Sequence, residues 1–468
     1  MAETALAQQQ REGRLGSKGR KAVYGAWFGF FVDMYDIYLP IVVLAPALIY
    51  FLSPEIDATT TVIIGGTIFA STLVARPVGA VIFGHYADTL GRKRTTIIAV
   101  SGFGILSVLM AALPGYEQWG LVAVSLLIAL RFIDGIFVGG AYTAANPLAM
   151  EYCPKQKRGL YGAVVMTGFP LGYAAIAVIT LLTLSVVPAG DINSPYVQWG
   201  WRIPFLFGAL LALALVIYYY YFVDESEMFE AKGGGGSPLR ELFSGENFRN
   251  FLQVFVLMTG FWLTVQALAA MLPGVLGSHV GLSETNVTIT LIIAFLILAL
   301  GYMGAGVLSQ RIGRRPFLAF FGLVSTVGGG AFYYLLISAA PESLFTVIVL
   351  VSIIGLLTVS CWGLATSYIN ERFQTSIRAS GFGIGYSLSV IIPSFYAYYQ
   401  VGLGTIMPFE YTVIPLVVLG SVLIFVGAVL GPETRDVDFT EEIDAKGESK
   451  KSAVESTPGT DGRRGDGE

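Results

Sequence analysis

Apolar runs of about 20 residues or more, separated by short polar connections, recur twelve times along this chain. At 1.5 Å per residue, about 20 helical residues are needed to cross roughly 30 Å of hydrocarbon. Lipid leaves the backbone no hydrogen-bond partners but its own, so such runs must be helices. The expected helices cover 22–51, 59–87, 95–113, 119–152, 159–187, 200–223, 248–276, 284–309, 315–339, 343–371, 377–401 and 408–430. Charge content agrees. Only 13% of the 468 residues are charged and the mean hydropathy is +0.69, against about 25% charged residues in a soluble protein. The fold class is therefore all-α integral membrane, with lipid as the main partner.

Basic residues sort the connections into two sets. One set carries Arg11, Arg14, Arg20 and Lys21; Arg92, Lys93 and Arg94; Lys155, Lys157 and Arg158; Lys232, Arg240 and Arg249; Arg311, Arg314 and Arg315; and Arg372 and Arg378. The other holds Glu55, Asp57, Glu117, Asp191, Glu284, Glu342 and Glu410, with Arg202 beside a helix start. Basic loops remain cytoplasmic, so both termini are expected inside, in a plasma (inner) membrane. Residues 1–20 hold no short apolar core and no cleavage site, so no cleaved signal peptide is expected.

The chain divides six helices from six. Residues 1–20 and 433–468 are polar and expected to be disordered cytoplasmic segments. Residues 21–223 and 248–432 form the two bundles. The linker, 224–247, contains four consecutive glycines, Gly233 to Gly236, which suit a flexible connection. The halves are also related. Gly84-His-Tyr-Ala-Asp88-Thr-Leu-Gly91-Arg92 after the second helix aligns without a gap with Gly306-Val-Leu-Ser-Gln310-Arg-Ile-Gly313-Arg314 after the eighth. Two related halves imply a site between them near the bilayer midplane, opened alternately to either side.

That repeated loop resembles the hallmark of the major facilitator superfamily. More narrowly, the chain is similar to the metabolite:proton symporters. The residues carrying this resemblance are Asp33-Met-Tyr35-Asp36 and Tyr38; Arg76-Pro77-Val-Gly79; and Arg131, Gly135, Gly139, Gly140, Glu151 and Pro154. Further along they are Trp199-Gly-Trp201-Arg202-Ile-Pro204, Glu225-Ser226, Arg378, Gly381 and Pro432-Glu433-Thr434. The resemblance implies twelve helices in two pseudo-symmetric six-helix bundles, with the first and fourth helices adjacent. The chain departs from the family pattern at Met34, Thr89, Gln310, Ala141 and Asp134.

Five ionisable residues fall well inside expected helices: Asp33, Asp36, Arg76, Arg131 and Asp134. Such groups are costly in hydrocarbon and tend to pair or to line a pathway. Asp33 and Asp36, and likewise Arg131 and Asp134, are spaced i, i+3 and share a helix face. Burial favours the neutral carboxyl and a nearby arginine favours the charged one. The functional reading makes Asp33, Asp36 and Asp134 proton carriers and Arg76 and Arg131 ligands of a substrate carboxylate. Tyr35, Trp262, Gln266, Trp362 and Tyr386 complete the substrate-binding set. The plainer reading is that Arg131 and Asp134 only hold helices together and that the aromatics are packing. Gly84, Asp88, Gly91, Arg92, Gly306, Gly313 and Arg314 are read as a conformational latch, with the glycines permitting close approach or tight turns.

The leading function is a secondary active transporter that imports a small carboxylate-bearing metabolite, an organic acid or zwitterion, with protons. Sodium coupling stays open. The alternatives are a proton-driven drug or metabolite exporter and a membrane sensor on a transporter scaffold. No GxxxxGK[ST] loop occurs, which disfavours an ATP-driven pump. Two distant histidines, His85 and His279, do not make a metal site. The two cysteines, Cys153 and Cys361, form no CxxC. An enzyme activity, a cofactor and a nucleic-acid partner are not expected, and a monomer is.

Overall fold

The computed structural model describes residues 13, 15–90, 92–223, 241–374, 377–437 and 439. All regular structure among them is helical. The first half comprises α1 (Ser17–Val42), α2 (Ala58–Leu90), α3 (Arg92–Ala111), α4 (Leu121–Tyr152), α5 (Lys155–Val186) and α6 (Tyr196–Phe222). The second comprises α7 (Gly245–His279), α8 (Glu284–Ile312), α9 (Arg314–Ala339), α10 (Leu344–Thr358, continued by Ser360–Arg372), the segmented α11 and α12 (Phe409–Leu430). Among the described residues nine helices are long and apolar enough to cross a membrane. Two further spans are bent: α1 turns by 67° into Ala45–Phe51, and α10 by 42° at its break. The linker expected over 224–247 lies mostly outside the described residues.

The remaining expected segment, 377–401, is not one continuous helix. It consists of Arg378–Leu388, Ile391–Ser394 and Tyr396–Leu403, together named α11. Pro393 has no N–H to offer the carbonyl of Ser389. The Thr259 hydroxyl of α7 lies 3.5 Å from that oxygen instead. Broken helices persist at membrane depth only inside protein or beside a cavity, and α11 packs against α2, α4 and α7.

Close contact between α2 and α4 fixes the depth of the site. A Cβ placed at Gly79, Gly135 or Gly139 would collide with the backbone carbonyls of Ile136, Thr72 or Arg76, respectively. Small residues at these three positions let the two backbones touch. The Thr72 hydroxyl donates to the carbonyl of Arg131 at 2.9 Å, locking the register. Arg76 and Arg131 thus enter the interior at fixed heights. The halves meet where α2 packs on α11 and where α5 packs on α8.

Candidate functional site

All five intramembrane charges converge, and they sort into two groups. In the first, Arg76 Nη2 lies 3.0 Å from Asp33 Oδ2. Both side chains are essentially inaccessible, at 0% and 3% exposure. Arg76 Nε and Nη1 and Asp33 Oδ1 have no hydrogen-bond partner among the described residues. The guanidinium carbon stands 5.6 Å from the centre of the Tyr386 ring, which belongs to α11 in the other half.

The second group lies within the first half. Arg131 Nη1 contacts Asp36 Oδ2 at 3.1 Å and Asp134 Oδ2 at 3.0 Å. Arg131 Nη2 donates to the carbonyls of Asp36 and Ile37 at 3.1 and 3.4 Å. The Ser107 hydroxyl of α3 donates to Asp36 Oδ1 at 3.2 Å. Arg131, expected as a substrate ligand, therefore has both terminal nitrogens committed inside the bundle. Tyr35 is likewise turned toward α6, where its hydroxyl donates to the Pro204 carbonyl at 2.9 Å.

The aromatic side chains of the second half gather beside Arg76. The Trp262 and Trp362 rings are 4.8 Å apart and nearly perpendicular at 81°, and Trp262 lies 5.2 Å from Tyr386. Their indole N–H groups donate to the carbonyls of Tyr386 and Phe261, which holds both rings in place. Tyr142 of α4, absent from the sequence-based set, lies 4.6 Å from Tyr386. Its hydroxyl, the Tyr386 hydroxyl and Gln266 Nε2 are buried without a hydrogen-bond partner among the described residues. Unpaired buried polar groups are uncommon and costly. Their collection around one half-paired arginine marks this seam as a place built to receive polar atoms.

The two faces differ in how they close over the site. Toward the acidic loops a single aromatic layer intervenes. The Tyr38 hydroxyl donates to Gln266 Oε1 at 3.3 Å, and its ring packs against Phe69, Phe169 and Tyr173. Tyr173 stacks on Phe295 at 4.0 Å, joining α5 to α8. Beyond that layer lies a cavity of about 700 Å³, bounded by Ile68, Met271, Leu291 and Tyr396 and by His279, Glu284 and Glu410 at the loops.

The face of the basic loops is shut by ion pairs between halves. Arg378 reaches Glu151 at 3.4 Å and Glu371 faces Arg158 at 3.7 Å, while Arg314, of the same half as Glu371, holds that glutamate at 3.3 Å. Gly159 N donates to Gln310 Oε1 at 3.0 Å. A Cβ at Gly306 would come within 2.5 Å of the Gly159 carbonyl oxygen, so α5 and α8 touch there. The equivalent first-half position, Gly84, has open space around it among the described residues. Gly313 adopts φ +105°, a conformation glycine favours, and turns the chain into α9. Gly91 and the side chains of Asp88 and Arg92 lie outside the described residues. The sequence did carry a signal for this network. Glu151 and Arg158, and Glu371 and Arg378, have identical spacing in the two halves.

A polytopic helical protein of two bundles, with buried, partly paired charges at and beside their seam and a cavity on one face separated from those charges by a single aromatic layer, belongs to the class of secondary transporters. The model of the Major Facilitator Superfamily matches residues 26–397, and the chain belongs to that superfamily. The inner membrane metabolite transport protein YhjE of Escherichia coli is 29% identical over 398 residues, covering 83% of this chain and 88% of that protein. The shikimate transporter of Escherichia coli is 28% identical over 412 residues, covering 84% and 89%. Among solved structures, the crystal structure of a D-xylose-proton symporter superposes with TM-score 0.69 at 18% identity, covering 89% and 99%. The last shows the shared fold alone.

Proposed function

We propose that the chain imports a small carboxylate-bearing metabolite together with protons, with its basic loops and both termini in the cytoplasm. The observation that carries this reading is Arg76. It is fully buried, it faces the other half through Tyr386, and two of its nitrogens are unpartnered. A substrate carboxylate can take those donors, since charge-assisted pairs are the strong hydrogen bonds of a buried site. Tyr142, Tyr386 and Gln266 are placed to contact the rest of the substrate. The name of the shikimate transporter, a carboxylate carrier's, is consistent with this class.

Charge balance supplies the coupling. The cluster holds three carboxyl groups, Asp33, Asp36 and Asp134, against two guanidiniums, Arg76 and Arg131. An entering carboxylate adds another negative charge, and an uncompensated buried charge costs on the order of several kcal/mol. Proton uptake removes that cost. Asp33 can take a proton as the substrate replaces it on Arg76, and the Asp36–Asp134 pair can hold a second. With the basic loops inside, the cavity faces outward and the structure is an outward-facing state closed by one aromatic layer.

The test is uptake by proteoliposomes from a panel of monocarboxylates, dicarboxylates and betaines under an imposed pH gradient, acidic outside. Accumulation of a carboxylate that collapses with a protonophore supports the reading. Concentrative uptake that ignores the pH gradient and follows sodium overturns its proton half. Uptake confined to uncharged solutes overturns its carboxylate half.

A further inference from the structure

The chain beyond α12 is anchored in two places, one on each half. At its start, Glu433 accepts from the backbone N–H groups of Arg314 and Arg315 at 2.9 and 3.1 Å, capping α9. The neighbouring Thr434 hydroxyl donates to Glu371 at 2.8 Å. Both contacts are to the second half. Three residues later the chain has crossed to the first half. The Val437 carbonyl accepts from Arg158 Nη1 at 3.0 Å. Phe439 is buried, at 4% exposure, in a small apolar cluster with Val23 and Ala26 of α1, Ala149 and Met150 of α4, Cys153 and Val165.

The Phe439 ring also bridges the halves itself. The guanidinium carbon of Arg158 lies 3.6 Å from its centre and that of Arg378 lies 3.7 Å from it. Two guanidiniums at that height cannot share one face of a ring, so they occupy opposite faces. Arg158 belongs to α5 and Arg378 to α11, and each pairs with a glutamate of the opposite half. The ring separates two like charges that those cross-pairs draw together. Each guanidinium gains a cation–π contact, which is stronger where water is excluded.

We propose that the segment anchored at Glu433, Thr434, Val437 and Phe439 is a strap that ties the two halves together on the basic-loop face and must release whenever that face opens. Separating Arg158 from Arg378 cannot leave both on the same ring. Moving the α1–α4–α5 surface away from α9 cannot leave both ends of a seven-residue segment seated, because its anchors lie on opposite sides of the opening. The strap therefore biases the resting protein toward the state closed on that face, and its strength sets how often the face opens. This rests on the seam geometry and not on the identity of any substrate.

The experiment uses alkylation by N-ethylmaleimide, resolved site by site by mass spectrometry, on the full chain in proteoliposomes. Cys153 is buried beneath the strap. The second reporter is Ser367→Cys in α10. That position is buried where α10 faces Gly162 of α5, and it lies outside the Phe439 cluster. Phe439→Ala and a chain ending at Asp436 are expected to label about tenfold faster at position 367, and Phe439→Leu, which keeps apolar packing without the stacked charges, about threefold. Thermal melting confirms that each variant is folded, and Phe439→Leu decides if the other two are not. A rise confined to Cys153 means the segment only covers that cysteine, and it overturns the proposal. Unchanged labelling at 367 overturns it as well.

Discussion

The Arg76 guanidinium of α2 and the Tyr386 ring of α11 face each other across the seam between the halves, 5.6 Å from carbon to ring centre. Arg76 is thereby the cluster's charge that senses both halves, while Arg131 is held by groups of α1 and α4 within the first half. The two arginines should respond differently to removal. Arg76→Gln is expected to weaken substrate binding about 10- to 150-fold, the equivalent of a charged hydrogen bond of roughly 1.5–3 kcal/mol. Arg131→Gln strands two buried carboxylates, and breaking a buried pair costs about 3–5 kcal/mol, so its main effect should be a fall in melting temperature. Binding by isothermal titration and melting of the same preparations check both. Equal loss of affinity in the two variants would show that Arg131 also reaches substrate.

The α2–α4 contact allows a prediction about stability. Gly139→Ala would put a methyl group against the Arg76 carbonyl, and Gly135→Ala would put one against that of Thr72. Backbone cannot swing aside as a side chain can. Each substitution should cost at least the 1–3 kcal/mol typical of overpacking, roughly, and should also displace Arg76. Gly84→Ala, with open space around it, should leave melting unchanged. A thermal-shift comparison of the three variants tests the contact directly.

Segmentation was legible because length and apolarity alone decide whether a run can cross lipid. The five buried charges were legible because such groups are scarce at that depth. Their pairing was not. Asp33 and Asp36 share a face of α1 by spacing, yet they pair with arginines from α2 and α4, respectively. Which arginine meets which acid depends on the α2–α4 register, a property of packed backbones. Tyr142 was invisible as one of 24 tyrosines, because nothing local separates a ring on a seam from one in a core. The break in α11 was available from Pro393. The tail expected from 433 onward looked merely polar, since its anchors are single residues whose partners lie far away in sequence.

The cavity gives a prediction on sidedness. Cysteines placed at Thr61 and Ser278, which line it, should react with a membrane-impermeant maleimide added outside intact cells. Cysteines at Lys157 and Arg315, on the basic-loop face, should react only after permeabilisation. Added substrate should slow labelling at Thr61 and Ser278 if it draws the protein toward the opposite opening. Reaction of the Lys157 variant in intact cells would invert the topology inferred from loop charge.

Coupling gives the sharpest separation among the acids. Asp33 is the partner that a substrate carboxylate would displace from Arg76, and Asp36 and Asp134 share one nitrogen of Arg131. Asparagine at any of these positions mimics a permanently protonated acid. Such a carrier can still bind substrate and exchange it across the membrane. It gains and loses one proton fewer per cycle, so it draws less energy from a pH gradient. Asp33→Asn is expected to lose the proton that travels with substrate binding and so to lower the concentration ratio reached under a pH gradient, while leaving exchange of labelled for unlabelled substrate within about threefold. Asp36→Asn and Asp134→Asn should lower the proton-to-substrate ratio, read from the voltage and pH gradients that just balance a substrate gradient. Because these two acids share a single guanidinium, the double variant should be no worse coupled than the more affected single one. A double variant whose coupling loss is the sum of the two would show that they carry separate protons. If Asp33→Asn concentrates substrate as far as the unaltered protein under the same pH gradient, no coupled proton travels with the group that substrate displaces.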